Sequence, residues 1–222
     1  MAKPRIALIH ATTLAMAPIT DAFARDWPEA ETMHLLDSSL SDDRKVAGEL
    51  TETISNRIQG LAKYASDRGV DGILYTCSAF GEAIEAAANA RAEPVLKPNE
   101  AVFERALKIA ANTSGDIVML ATFPPSIGSM AEEFEEMRAA KGVSATLRSI
   151  GVPAARDALN AGDASAHDRL LAEAAKDAGA CDAIMLAHFS MDRAHTAISA
   201  AVDMPVLSPP TDALVKMRAL LS

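Results

Sequence analysis

Aromatic side chains are scarce in this chain: six Phe, two Tyr and one Trp make up 4% of its 222 residues. The apolar half of the sequence is therefore mostly small aliphatic, which suits helices packed on parallel sheets and argues against a β-sandwich. Cysteine is nearly absent as well. Two residues, Cys77 and Cys181, make no disulfide framework and read as free thiols in a reducing compartment, so the chain must fold without covalent staples. Basic residues are outnumbered, 21 Lys and Arg against 30 Asp and Glu, for a net charge of −9 with no basic run. That balance argues against nucleic acid as a partner, since a polyanion requires clustered cations. No apolar stretch reaches the length of a membrane span, and Met1-Ala2-Lys3-Pro4-Arg5 leads directly into a short strand rather than a signal core. We therefore expect a cytoplasmic protein without a membrane partner. A glycine-rich phosphate loop, a dinucleotide fingerprint and a low-complexity linker are all missing. His188 and His195 lack a carboxylate or thiol at chelating spacing, so no metal is assigned.

What is present is a strict alternation of strand and helix. Strands are expected at Arg5 to His10, Thr32 to Leu36, Ile73 to Thr76 and Pro94 to Leu96. Helices are expected at Ala17 to Asp26, from about Asp42 to about Arg68 as one long element with Ser41 as N-cap, at Ala79 to Ala92 and at Glu100 to Ala111. Val46, Leu50, Ile54, Ile58 and Leu61 supply the apolar face of the long helix. The order then repeats. Strands are expected at Ile117 to Ala121, Ala145 to Ile150, Ala183 to Ala187 and Pro205 to Leu207. Helices are expected near Ser126 to Lys141, Ala164 to Ala178, Asp192 to Ala201 and Asp212 to Leu221.

The repeat is also visible in the letters. Asp71-Gly72-Ile73-Leu74 returns as Asp182-Ala183-Ile184-Met185, and Pro94-Val95-Leu96-Lys97-Pro98 as Pro205-Val206-Leu207-Ser208-Pro209, both displaced by 111 residues. The same offset aligns Ile6-Ala7-Leu8-Ile9 with Ile117-Val118-Met119-Leu120. The chain thus reads as two copies of one α/β half, residues 1–111 and 112–222, with the terminal helices able to pack on the opposite lobe. The expected fold is two lobes related by a pseudo-twofold axis, each a roughly four-stranded parallel sheet flanked by helices. Ligands of such sheets bind at the carboxyl ends of the strands.

Cys77 stands at such an end, between the apolar strand Gly72-Ile73-Leu74-Tyr75-Thr76 and the start of a helix. Free amides at a helix start favour an anion, so a thiol there is expected to ionise more readily than usual. The plainer reading of a free cysteine is a small buried hydrophobe, and that is the reading for Cys181, just before its strand. Under the 111-residue offset Cys77 falls on His188, which follows its own strand, and the symmetry would set thiol and imidazole across one cleft. The same turns bring His10, Thr12, Thr13, Thr76, Ser78 and Ala79 from the first half and Thr122, Ser126, Phe189 and Ser190 from the second as candidate substrate-binding residues. Each Ser or Thr among them also reads as a plain helix cap. Lys97 and Arg193 flank these turns and could attract an anion. His34, His167 and His195 lie within elements, where packed or solvated roles are usual.

At Tyr75-Thr76-Cys77-Ser78-Ala79, followed by an alanine-rich helix and Pro94-Val95-Leu96, the chain resembles the aspartate/glutamate/hydantoin racemase superfamily, over both halves. The resemblance implies two α/β lobes, no cofactor, homodimer formation, and a cysteine at the corresponding turn of each lobe. One thiol removes a proton from the substrate's α-carbon and the other delivers one to the opposite face. This sequence keeps the first cysteine and has His188 in Leu186-Ala187-His188-Phe189-Ser190-Met191 where the second would stand. An imidazole can exchange protons near neutral pH, or it can bind a substrate carboxylate and leave Cys77 as sole proton carrier. The first case implies a racemase or isomerase acting beside a carboxylate or cyclic amide. The second resembles the arylmalonate decarboxylases of the superfamily, which keep their single cysteine in the other half; maleate isomerases and related lyases use the same lobes. A small-acid-binding protein without catalysis is the third reading.

Overall fold

The computed structural model describes residues 3–222, which form two compact units: residues up to Glu100 together with Ala213–Ser222, and Ala101–Asp212. The first unit contains β1 (Arg5–His10), α1 (Met16–Asp26), β2 (Glu31–Leu36), α2 (Leu40–Ala47), α3 (Glu52–Ser66), β3 (Gly72–Tyr75), α4 (Gly81–Asn89) and β4 (Val95–Leu96). Helix α5 (Glu100–Ala110) opens the second. It continues with β5 (Asp116–Ala121), α6 (Ile127–Lys141), β6 (Thr146–Gly151), α7 (Pro153–Asn160), α8 (Ala164–Asp177), β7 (Ala183–Leu186), α9 (His195–Ser199) and β8 (Val206–Leu207), whereas α10 (Pro209–Leu220) belongs to the first unit from Ala213 onward.

Each unit holds one four-stranded, fully parallel sheet, in the orders β2-β1-β3-β4 and β6-β5-β7-β8. The central strands are buried almost end to end, which is why they read as unbroken apolar runs rather than alternating ones. Strands β1, β3 and β4 recur as β5, β7 and β8 at the offset of 111 residues seen in the letters. Only β6 departs from it. Helix α6 has 15 residues to the 11 of α1, and this extra turn pushes β6 later before the offset is recovered at β7.

Side chains from β5, β7, α5 and α6 build the core of the second unit, with Phe103 and Phe134 meeting edge to face at 5.6 Å. In the first unit Ile54, Ile58, Ala62 and Ala65 of α3 and Ala83, Ile84 and Ala87 of α4 close over one face of the sheet. Helix α10 lies so close to β3 that a Cβ on Gly72 would stand 2.5 Å from the Met217 sulfur.

The long helix expected from Asp42 to Arg68 is in fact two. Gly48 adopts φ 74°, a left-handed conformation that glycine alone takes without strain, and closes α2. Thr51 then turns extended and caps α3 by accepting the Ile54 amide at 3.3 Å. Val46, counted in the apolar face, is 88% exposed. The N-cap of α2 is Ser39 rather than Ser41, whose hydroxyl instead donates to Ala11 O at 3.0 Å. The helix expected at Asp192 to Ala201 is also divided, into a 3-10 segment Phe189–Ala194 and the short α9. Helix α7 was not foreseen at all.

Gly115 precedes β5 with φ 88°, and a Cβ there would lie 2.6 Å from the backbone oxygen of Ser144. Neither the dihedral nor a backbone atom can yield cheaply. Gly115→Ala is therefore expected to lower stability by about 2 kcal/mol or more in urea denaturation.

Candidate active site

The turns that follow the central strands hold the candidate residues. Because β1 and β3 are neighbours, with Ile9 opposite Tyr75, the segments leaving them lie side by side. The same holds for β5 and β7, with Leu120 opposite Leu186. Cys77 and His188 occupy equivalent places in these two frames. Each is the extended residue that caps a 3-10 turn, with φ −129° and ψ 124° at Cys77 and φ −128° and ψ 146° at His188.

Cys77 is half-buried, at the edge of the first unit's core. Burial pushes its thiol up from the ordinary value, while the Ala79 amide and the Ser41 hydroxyl pull it down by less. The expectation of a readily formed thiolate is thereby corrected. The thiol is followed by the single 3-10 turn Ser78–Phe80 before α4 begins, so it does not sit on the first amides of an α-helix, and desolvation wins. At rest Cys77 holds its proton.

His188 is bonded on both sides. Ser126 Oγ donates its only hydrogen to Phe123 O at 2.8 Å, so at 3.0 Å from His188 it accepts Nε2–H. That assignment leaves Nδ1 without a hydrogen, 3.3 Å from the Thr122 hydroxyl. Burial, with the nearby positive charge of Arg156, lowers the ring's pKa to about 4. At neutral pH it is an uncharged imidazole with its basic atom at Nδ1.

The structure thus gathers Thr122, Ser126 and His188 into one bonded group. Thr12 caps a 3-10 turn and accepts the Leu14 amide at 3.4 Å, Thr13 is exposed beside it, Ser78 and Ser190 are half-buried and Ala79 is exposed. Four expected substrate contacts are buried: Thr122, His10, Phe189, and Thr76, whose amide and hydroxyl both bond Ile9 O. An apolar residue at a strand end folds inward to fill the sheet's rim, and a polar one does so when neighbours satisfy it.

The two expected anion-attracting cations are already paired, Lys97 with Glu85 at 2.6 Å and Arg193 with Asp168 at 2.9 Å. Arg156 was missed. It projects from α7, stacks on the Phe123 ring at 4.4 Å and has no ion pair among the described residues. No motif marks it, and it became significant only once α7 placed it near His188. His34 was passed over as a strand residue but bonds His10. His167 is packed against Asp168, and His195 bonds Val206 O. Cys181 lies before β7, away from these turns. Among the described residues no three His, Cys, Asp or Glu are placed to hold a metal ion, and no helix is long and apolar enough to cross a membrane.

A doubled parallel α/β chain with a thiol and an imidazole at matched strand ends defines the class: proteins built from two repeats of one sheet, with polar turns at its carboxyl edge. The sequence matches the family described as Asp/Glu/Hydantoin racemase over residues 6–217, and the chain belongs to that family. No curated protein matches it in sequence. Among solved structures it is similar to an allantoin racemase from Klebsiella pneumoniae, with 18% identity over 99% of this chain and 88% of that one and a TM-score of 0.69. It is similar also to glutamate racemase RacE1 from Bacillus anthracis (13% identity, 100% and 82% covered, TM-score 0.70). An aspartate racemase from Picrophilus torridus shares the same fold (13% identity, 98% and 94% covered, TM-score 0.68).

Proposed function

We propose that the protein is a cofactor-independent racemase or isomerase that transfers protons at the carbon next to a carboxylate, with Cys77 and His188 as the two proton-exchanging residues. The observation that carries this reading is their equivalence: a thiol and an imidazole on matching turns with matching backbone conformations. Their resting protonation states support it, because a thiol that keeps its proton and an imidazole whose Nδ1 carries none make one acid and one base. In one direction Nδ1 takes the α-proton, the electron pair left behind spreads into the carboxylate as an enediolate, and the thiol returns a proton to the other face of the carbon. In the reverse direction the thiolate takes the proton and the imidazolium returns one. Hydroxyls and amides of the turns receive the developing enediolate charge.

An imidazole whose pKa is about 4 is a weak base, and the substrate itself supplies the correction. A carboxylate that pairs with Arg156 cancels the positive field on His188 and adds a negative one, and both effects raise the basicity of Nδ1. Arg156 therefore favours a carboxylate over an uncharged cyclic amide. Arg156→Met is expected to lower kcat/KM for a carboxylate substrate about tenfold or more, as loss of a charge-assisted bond does, and to change it little for a hydantoin.

The test of the function is proton NMR in heavy water with aspartate, glutamate, allantoin, substituted hydantoins, maleate and substituted malonates. Loss of an α-proton signal establishes racemase-type exchange and names the substrate. A decarboxylated or eliminated product replaces this reading with a lyase. Binding seen as a raised Tm without exchange on any compound replaces it with a non-catalytic acid-binding protein.

A further inference from the structure

Three polar side chains lie across the first sheet where its fold needs none. His10 Nδ1 is 2.9 Å from Thr76 Oγ1, and His10 Nε2 is 3.0 Å from His34 Nδ1. The two rings are nearly parallel, their planes 12° apart with centroids at 5.2 Å. Strand order β2-β1-β3 makes this possible by setting His34, His10 and Thr76 on adjacent strands or their ends. The hydrogens are accounted for in one direction. Thr76 O–H donates to Ile9 O at 3.3 Å, so its oxygen accepts His10 Nδ1–H, and His10 Nε2 accepts His34 Nδ1–H.

In the second unit the residues 111 positions after His10 and Thr76 are Ala121 and Ala187, both buried. The same sheet thus closes with two methyl groups where the Cys77 half buries an imidazole and a hydroxyl. Desolvating those groups is costly, so filling space does not explain them. What distinguishes the first half is the residue after Thr76. Strand β3 ends at Tyr75 and pairs with β4 only at Ile73 and Leu74, so past that point its backbone bonding continues on the β1 side. There Thr76 bonds Ile9 O through its amide, at 3.0 Å, and joins the histidine chain through its hydroxyl.

We propose that His10, braced by His34, is a positioning residue for Cys77: it pins Thr76 and so fixes the turn from which the thiol is presented. The role of Cys77 in catalysis rests on the reading above, but the pinning is testable without substrate.

The experiment measures alkylation of Cys77 by iodoacetamide in a Cys181→Ser background, beside kcat and KM on whichever compound exchanges its α-proton. Loosening the turn admits water to a thiol now held protonated by burial, so His10→Phe and Thr76→Val are expected to speed alkylation about fivefold or more. The same two variants are expected to lower kcat with little change in KM. His10→Asn places an amide N–H where Nδ1–H stood and is expected to stay within about twofold of the parent, although it loses His34. Thr76→Val leaves both histidines in place and serves if His10→Phe fails to fold. Parental alkylation rates in Thr76→Val, or His10→Asn alkylating as fast as His10→Phe, would overturn the proposal. Faster alkylation in a protein that turns over no compound would support the pinning and refute the function.

Discussion

Cys77→Ala is expected to reduce racemisation about a thousandfold or more while leaving the fold intact. If the thiol is one of the two groups that carry the proton, its loss leaves the other with no partner to complete the transfer. Residual racemisation would come only from water and the charge-stabilising turns. Stability should change little, because Cys77 is half-buried at the rim of the core, where losing a sulfur atom costs on the order of 1 kcal/mol. Cys77→Ser separates acid–base chemistry from packing. A hydroxyl fills nearly the same space but holds its proton far more tightly, so it should be almost as inactive as alanine. Chiral chromatography of the product and a thermal melt, taken together, read both expectations. Parental activity in Cys77→Ala would remove the thiol from the reaction and with it the proposed mechanism.

The two sheets were legible because their central strands are buried on both faces and must be apolar throughout, a pattern the 111-residue repeat then printed twice. Helix boundaries were less so. Nothing in the spacing of Val46 and Leu50 tells a continuous helix from two helices in line, and only the φ of Gly48 decides it. The pair Cys77 and His188 could be read from the offset alone, since equivalent positions in a repeat keep the backbone and change the side chain. Their proton affinities could not. Whether a strand-end thiol is lowered by amides or raised by burial depends on how deeply the following turn folds over it. Arg156 and the bond between His34 and His10 were invisible for a related reason: they join elements far apart in sequence, through register and an unforeseen helix rather than a local motif.

Between pH 6.5 and about 4 the protein is expected to lose stability through two histidines in particular. His10 and His188 both have pKa values lowered to about 4, chiefly by burial, with the charge of His34 adding to the effect on the first and Arg156 on the second. In the unfolded chain each ring titrates near 6.5. Across that window the unfolded state therefore binds protons that the native state refuses, and acid favours unfolding. The stabilisation is complete above pH 6.5 and is lost progressively toward pH 4. Traversing the whole window removes about 3 kcal/mol for a ring as buried as His10, and less for the half-buried His188. Urea midpoints at pH 7.5, 5.5 and 4.5 measure this loss before most carboxylates titrate. His188→Asn should flatten the profile by its own share, because asparagine has no proton to gain. A midpoint that stays level from pH 7.5 to 4.5 would show that the two rings are as accessible to protons in the folded protein as in the unfolded chain, contrary to the burial from which the neutral imidazole of the proposed mechanism follows.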